Sequence, residues 1–202
     1  ILMNPRGVVF GPTARVETAS LVATSLGVDV DAFMSGALEL EFSADVAGRI
    51  LNQGVLEAAS GGGVALLGDE VVNEGLIVAE LGRVDLASGS EAVLRFDAEG
   101  LVGVAVQGGA LGGTGGPDAV RNAGTVEAPG GRIVLTADAA RELFSSAVNN
   151  EGVLRANAAR EVDGEIVLFS RADTVTSGTL EATSATGPGG RIDVLGDRKS
   201  VV

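Results

Sequence analysis

The sequence predicts an all-β protein, a right-handed parallel β-helix in which short strands stack as a solenoid, with short helical or loop excursions. Three observations predict this fold: a recurring Asn-x-Gly motif, an alternation of apolar and polar residues after each copy, and a spacing of about 20–28 residues between most copies. Glycine supplies 31 of the 202 residues, and the six Phe are the only aromatic residues. This composition fits frequent turns around a narrow aliphatic core.

The recurring motif places an asparagine two residues before a glycine at the start of each unit. The four asparagines are Asn52, Asn73, Asn122 and Asn150. Equivalent residues of stacked coils lie about 4.8 Å apart, so their amides can bond to one another or to turn backbone. The spacing therefore predicts a structural turn ladder without a ligand, in which Ser177 replaces the asparagine of the fifth copy.

Two short strands are predicted after each motif, because apolar residues alternate with polar ones beyond its glycine. In the first strand an aliphatic residue and an alanine are expected to point inward, at Leu56/Ala58, Ile77/Ala79, Val126/Ala128, Leu154/Ala156 and Leu180/Ala182. The second strand follows a further glycine with the same alternation, as in Gly131 to Leu135. The Leu-x-x-Leu-x-Leu frame of leucine-rich repeats is absent, which leaves a parallel β-helix.

Three segments depart from the repeat. The 49 residues from Ile77 to Val126 correspond to about two turns of the solenoid, so we expect one irregular coil there, from Ala92 to Val106. Thr136 to Val148 is predicted to form a short helix or a loop excursion. Gly108 to Pro117, which reads GGALGGTGGP, is predicted to form a flexible loop.

Composition argues against several kinds of site. The chain has no Cys and no His, which removes thiolate chemistry, disulfides, the commonest general base and the commonest metal ligand. A net charge of −13 disfavours nucleic acid as a partner. No apolar stretch reaches the roughly 18 residues of a membrane helix, so no membrane insertion is expected. We expect neither a cofactor nor a metal site.

The catalytic alternative to a purely structural protein is an enzyme that acts on acidic polysaccharides, because other β-helical proteins have that activity. Such enzymes need clustered carboxylates for calcium or for glycoside hydrolysis. The candidate pairs are Asp29/Asp31 and Asp97/Glu99, whose i, i+2 spacing would place both acids on one face of a strand. Solvent-facing acids are the simpler interpretation, so no catalytic residue and no enzyme activity are expected.

Residues 3–26 read MNPRGVVFGPTARVETASLVATSL. This stretch resembles the amino-terminal secretion domain of filamentous haemagglutinin-like exoproteins of the two-partner secretion pathway. That family carries Asn-Pro-Asn-Gly, then an aliphatic run, Phe-Gly and Leu-Val-Ala-Thr-Ser-Leu. The corresponding motif here is Asn4, Pro5, Arg6 and Gly7, with Arg6 in place of the family's second Asn. The later NQG, NEG and GGRI units extend the resemblance over nearly the whole chain.

The resemblance implies that residues 1–48 are the C-terminal part of a two-partner secretion domain and that residues 49–202 are a β-helical shaft continuous with it. Because the chain starts in mid-pattern at Ile1, we expect an internal fragment of a larger exoprotein. The resemblance also implies that an outer-membrane transporter recognises the region of Asn4 to Gly7. From the residues alone, this turn could equally serve only to fold the first coils.

By the same resemblance, the protein would be an adhesin or haemagglutinin-like exoprotein of a Gram-negative cell. It would be secreted, displayed at the cell surface and associated with the outer membrane. Its further partner would be a receptor or glycan on a host or neighbouring cell. A second interpretation is the shaft of a contact-dependent toxin delivery protein, which would carry its toxin at the far C-terminus.

Overall fold

The computed structural model describes residues 1–46, 48–97, 100–160, 162–185 and 187–201, without the side chains of residues 97 and 100–102. Twenty-four strands and one short helix are assigned in this part of the chain. Most of the strands form successive rungs of a parallel β-helix. The all-β, β-helical fold predicted from the sequence is therefore confirmed.

The elements follow the chain in rungs, with two excursions. The strand β1 (Leu2–Met3) precedes the first rung and pairs with its strand β4. The first rung and the excursion after it are β2 (Gly7–Phe10), β3 (Arg15–Thr18), β4 (Leu21–Thr24), β5 (Gly27–Val28), α1 (Val30–Met34) and β6 (Glu39–Ser43). The next two rungs are β7 (Arg49–Asn52), β8 (Val55–Ala58), β9 (Gly63–Gly68), β10 (Glu70–Asn73), β11 (Leu76–Val78) and β12 (Arg83–Ser88). A hairpin follows, β13 (Glu91–Asp97) and β14 (Gly100–Gly108).

Three further rungs and one more strand complete the chain. The fourth and fifth rungs are β15 (Asp118–Asn122), β16 (Thr125–Glu127), β17 (Arg132–Ala137), β18 (Ser146–Asn150), β19 (Val153–Arg155) and β20 (Glu165–Ser170). The sixth rung and the last strand are β21 (Asp173–Thr176), β22 (Thr179–Glu181), β23 (Arg191–Leu195) and β24 (Arg198–Val201).

Three parallel sheets run along the helix. Sheet A has the order β1-β4-β9-β12-β17-β20-β23, sheet B the order β2-β7-β10-β15-β18-β21-β24, and sheet C the order β3-β8-β11-β16-β19-β22. The two strands predicted after each motif belong to sheets C and A, and each asparagine ends a strand of sheet B that the sequence pattern did not predict. Sheets A, B and C all continue past residue 48, and the division there into two domains stays a prediction.

Alternation along each strand builds the core. In sheet C the register stacks inward aliphatic residues directly over one another, at Leu56, Ile77, Val126 and Leu154. All four are fully buried. Leu180, which continues this column, is only half-buried because it belongs to the last rung of the sheet. The uniform size of these side chains suits a narrow interior in which every rung contacts only its neighbours.

A column of glycines allows the rungs to stack closely at the turn from sheet B to sheet C. A Cβ atom on Gly124 would lie 2.2 Å from the backbone oxygen of Gly75, and one on Gly152 would lie 2.1 Å from the oxygen of Gly124. Neither glycine has a positive φ, so the need for glycine here is steric. Because the obstructing atom is backbone, it cannot move away without shifting a rung.

We therefore expect Gly124→Ala to lower the free energy of unfolding by about 1–3 kcal/mol, the usual range for overpacking. Urea unfolding followed by circular dichroism measures this loss. Gly11→Ala is the matched control, because a Cβ there would meet no atom within 4 Å and Gly11 has no positive φ. Equal stability of the two variants would contradict the steric account.

Sheet D covers part of the outer face of sheet A. Its order is β14-β13-β6-β5, and its strands are antiparallel. A second apolar cluster lies between the two sheets and contains Val22, Leu26, Leu40, Phe42, Ala65, Leu67, Ala87, Ala92 and Leu94. The prediction of an irregular coil from Ala92 to Val106 is wrong. The described residues of this segment belong to β13 and β14, which pair antiparallel outside the helix. β10 pairs directly with β15, so the 49-residue spacing contains one rung.

The two other segments that were predicted to leave the repeat both form loops, which for Thr136 to Val148 is one of the two predicted alternatives. Between Thr136 and Val148 the excursion is a loop over residues 138–145 with a turn at 141–143, and the flanking residues belong to β17 and β18. The short helix lies elsewhere, at α1, where the Asp29 side chain accepts a hydrogen bond from the backbone N–H of Ala32 at 3.0 Å. Residues 109–117 form a loop, as predicted.

Candidate functional site

A tight turn between β1 and β2 holds the four residues of the predicted secretion motif, Asn4, Pro5, Arg6 and Gly7. The backbone N–H of Gly7 donates to Asn4 O at 2.8 Å, and the N–H of Arg6 donates to Asn4 Oδ1 at 3.1 Å. Pro5 fixes its own φ, and Gly7 has a φ of +103°, which a side chain would oppose. The side chains of Asn4, Pro5 and Arg6 are exposed.

The turn sits directly on the next rung. A Cβ on Gly7 would lie 2.2 Å from Arg49 O, and a Cβ on Gly48 would lie 2.6 Å from Pro5 O. The backbone N–H of Asn4 also donates to Thr24 O at 3.0 Å. The turn is therefore preset by the fold, with its backbone anchored and its side chains toward solvent.

An exposed apolar surface begins next to this turn. Ile1, Met3, Val28, Val30 and Phe33 line a shallow depression of about 130 Å³. Exposed apolar patches can mark sites of interaction with proteins, membranes or ligands. A fixed backbone turn beside an apolar surface is suited to recognition by another protein.

The four repeat asparagines lie in one column inside the turn from sheet B to sheet C. The side-chain nitrogen of each of the first three donates to the side-chain oxygen of the asparagine in the next rung, at 2.8 Å for Asn52 to Asn73, Asn73 to Asn122 and Asn122 to Asn150. All four side chains are fully buried. These amide–amide bonds, in a column closed to solvent, are the arrangement of a structural ladder.

The ends of this column are occupied by other residue types. Phe10 pairs with Asn52 in register at one end. At the other end Asn150 donates to the hydroxyl of Thr176 at 3.2 Å, and Thr176 is its register partner. The assignment of Ser177 to the asparagine column is wrong by one residue, and Ser177 is exposed.

Of the two acidic pairs, only Asp29/Asp31 lies entirely within the described residues. Asp29 and Asp31 lie at the start of α1 instead of on a strand, and both are exposed. Asp97 ends β13, and Glu99 lies outside the described residues. Nowhere in the described ranges do three or more acidic side chains converge as metal ligands. The one helix assigned there is too short to cross a membrane.

Gly48 and Arg49, which support the turn, were not singled out from the sequence. Their contribution depends on a register between strands about 40 residues apart, and nothing in the local sequence reveals that register. The predicted motif residues are brought together, by contrast, because they are consecutive in the chain.

Comparisons with known proteins identify the family. Residues 1–182 match the family described as TPS secretion domain. The chain is also similar to the HMW1 secretion domain from Haemophilus influenzae, with 22% sequence identity and a TM-score of 0.76. That match covers 100% of this chain and 51% of the HMW1 chain, so this chain spans about half of that structure. No curated protein matches the sequence. The chain belongs to the TPS secretion domain family, whose members direct two-partner secretion exoproteins to an outer-membrane transporter.

Proposed function

We propose that the turn formed by Asn4, Pro5, Arg6 and Gly7 is a recognition element for the outer-membrane transporter. The observation that carries this proposal is the combination of a backbone anchored to the next rung with three exposed side chains. A rigid turn loses little conformational freedom on binding, so its contacts contribute efficiently to affinity. The apolar side chains of Val30 and Phe33, which are exposed on α1, would extend the same interface.

We further propose that the exoprotein is an adhesin or haemagglutinin-like protein displayed at the cell surface, where it contacts a receptor or glycan on a host or neighbouring cell. A stack of rungs is an elongated scaffold, which can hold distal binding regions away from a membrane. The chain would have no enzymatic role. The lack of Cys supports export, because no disulfide can cross-link a chain that must thread a pore.

Secretion of motif variants tests the transporter proposal. In cells that co-express the exoprotein with its cognate transporter, we expect Asn4→Ala to reduce the secreted fraction about tenfold, roughly the effect of one lost hydrogen bond in the turn. Asn157→Ala is the matched control. It removes a side-chain oxygen that accepts from Thr183 N at 2.9 Å in a distant turn, and it should leave secretion unchanged.

Gly7→Ala provides a second test of the transporter proposal. Gly61→Ala is its control, because Gly61 also has a positive φ, of +83°, but a Cβ there meets no atom within 4 Å. We expect Gly7→Ala to reduce secretion well below Gly61→Ala. The thermal midpoint of each purified chain separates misfolding from lost recognition. Full secretion of both Asn4→Ala and Gly7→Ala would overturn the proposal and leave the motif as a structural turn.

A further inference from the structure

The glycine-rich loop, residues 109–117, folds back over two buried carboxylates where the chain passes from sheet A to sheet B. Asp69 and Glu70 are each only 3% exposed. Asp69 Oδ1 accepts hydrogen bonds from the backbone N–H groups of Leu111 and Gly112, the latter at 3.2 Å. A Cβ on Gly116 would lie 2.2 Å from Glu70 Oε1. The loop backbone is therefore packed directly against both acids.

Two oxygen atoms in this closure are buried without a hydrogen-bond partner, Asp69 Oδ2 and Thr114 Oγ1. Thr114 lies between Gly112 and Gly116, the residues by which the loop contacts the two acids. Across the described residues only one other buried side-chain oxygen lacks such a partner, Asp173 Oδ1, and Arg141 lies 3.4 Å from it. An ionised carboxylate can only accept, so the free oxygen of Asp69 calls for a donor or a cation.

The charge balance favours a cation. Within the described ranges Asp69 is in no ion pair, and the basic group paired with Glu70 is Arg49, whose Nε lies 3.4 Å from Glu70 Oε1. Arg49 is 44% exposed, so its charge is partly screened by solvent. Asp118, at the end of the loop, accepts from Asn149 Nδ2 at 3.0 Å instead. Among the described residues the two buried carboxylates thus have a single ion-pair partner between them, the partly solvated Arg49 on Glu70. A water molecule would leave that imbalance of charge in place.

We propose that this closure is a calcium site, in which Asp69 Oδ2 and the Glu70 carboxylate are the anionic ligands. Thr114 Oγ1, loop carbonyls and solvent would complete an all-oxygen set. Ca²⁺ accepts six to eight oxygen ligands in adaptable geometry, whereas Mg²⁺ requires a near-ideal octahedron and keeps its waters. With only two carboxylates the expected dissociation constant is about 0.1–1 mM, the range of extracellular modules. The site lies one rung from the secretion turn, because Gly48 and Arg49 support that turn and also bond to Asp69 and Glu70. It is not among the sites expected from the sequence.

Calorimetric titration of the purified chain with CaCl₂ up to about 10 mM, at constant ionic strength, tests the proposal across the affinity range above. We expect saturable binding, a thermal midpoint raised by a few degrees, and a clearly smaller response to MgCl₂. Asp69→Asn keeps an oxygen for the amides of Leu111 and Gly112 but removes the charge, so calcium affinity should fall about 10–100-fold. Asp118→Asn is the matched control and should bind as the unaltered chain does.

Absence of saturable calcium binding would overturn the proposal, and so would equal responses to calcium and magnesium. Unchanged binding by Asp69→Asn would do the same. If Asp69→Asn does not fold, Thr114→Val replaces it, because this variant preserves shape and loses one neutral ligand. It should weaken binding measurably, and unchanged affinity in that folded variant would contradict the site. None of these outcomes depends on secretion, so the recognition turn is tested independently.

Discussion

Replacing Arg83 with alanine is expected to lower the free energy of unfolding by about 3–5 kcal/mol, because it leaves a buried carboxylate without its counter-charge. Asp85 is fully buried beneath the hairpin of sheet D. Arg83 Nε and Nη2 donate to its two oxygens at 2.6 and 2.8 Å. Gly103 of β14 packs on the guanidinium, since a Cβ there would lie 3.2 Å from Arg83 Cζ. The pair is thus enclosed between two sheets.

Urea unfolding of the purified chain measures this effect. The matched control is Arg191→Ala, because Arg191 and Asp193 have the same spacing in the same sheet and an Nε–Oδ2 distance of 2.6 Å. Arg83 is 17% exposed and Arg191 is 72% exposed. An exposed pair contributes about 1 kcal/mol or less. If the two variants lost equal stability, burial would not be the source of the Arg83 effect.

The same variant has an expected pH dependence. Burial raises the pKa of the Asp85 carboxyl above its ordinary value of 3.8, and Arg83 opposes the rise. A raised pKa means that the folded state holds the proton more tightly, so this carboxyl's contribution to stability is present at low pH and is lost as the pH rises through the folded-state pKa. Without Arg83 that pKa rises further. The destabilisation by Arg83→Ala should therefore shrink as the solution is acidified from neutral pH.

Asn122→Ala is expected to lower the free energy of unfolding by about 2–4 kcal/mol, because it removes the shortest hydrogen bond of buried groups on both neighbouring rungs. Asn122 accepts from Asn73 and donates to Asn150, each at 2.8 Å. After truncation Asn150 Oδ1 loses this donor inside the fully buried column. Asn73 Nδ2 keeps only longer contacts, such as Gly75 O at 3.3 Å.

Asn157→Ala is the control for the ladder. The Asn157 side-chain oxygen accepts from the backbone N–H and the hydroxyl of Thr183 at 2.9 and 3.0 Å in an exposed turn. Because it is partly exposed, its removal should cost about 1 kcal/mol or less. Chemical unfolding of the two variants under one set of conditions measures the loss of stability in each. Similar losses for both asparagines would show that the ladder contributes no more than surface hydrogen bonds do.

Local alternation explains which parts of the fold the sequence predicts. In sheets C and A, glycine, aliphatic and alanine positions recur with period two, so their inward faces can be read directly. Sheet B carries less of this signal: β10 reads Glu-Val-Val-Asn and is buried at every position. The sequence pattern assigns Ser177 to the asparagine column, whereas Thr176 occupies that position. An error of one residue matters because it exchanges the two faces of a strand.

Long-range packing explains what the sequence does not predict. In sheet D residues 39–43 pair with residues 91–95. These two strands do not belong to the repeat, so no periodic pattern in the sequence indicates that they pair. Asp69, Glu70 and Asp85 resemble solvated acids in the sequence, and they are buried only because a loop and a hairpin fold over them. The candidate site likewise has a predictable and an unpredictable part. The turn residues are consecutive in the chain and could be predicted, whereas their contacts with Gly48 and Arg49 depend on the register between strands.

The most direct test of the central claim is export of the exoprotein that contains this chain, in cells with and without its cognate outer-membrane transporter. The fraction in the medium or at the cell surface is measured by immunoblot, with a periplasmic marker as the control for lysis. A secretion domain predicts export only when the transporter is present, and the loss of that export in Asn4→Ala. Equal export without the transporter would contradict the assignment of this chain as the part that directs secretion.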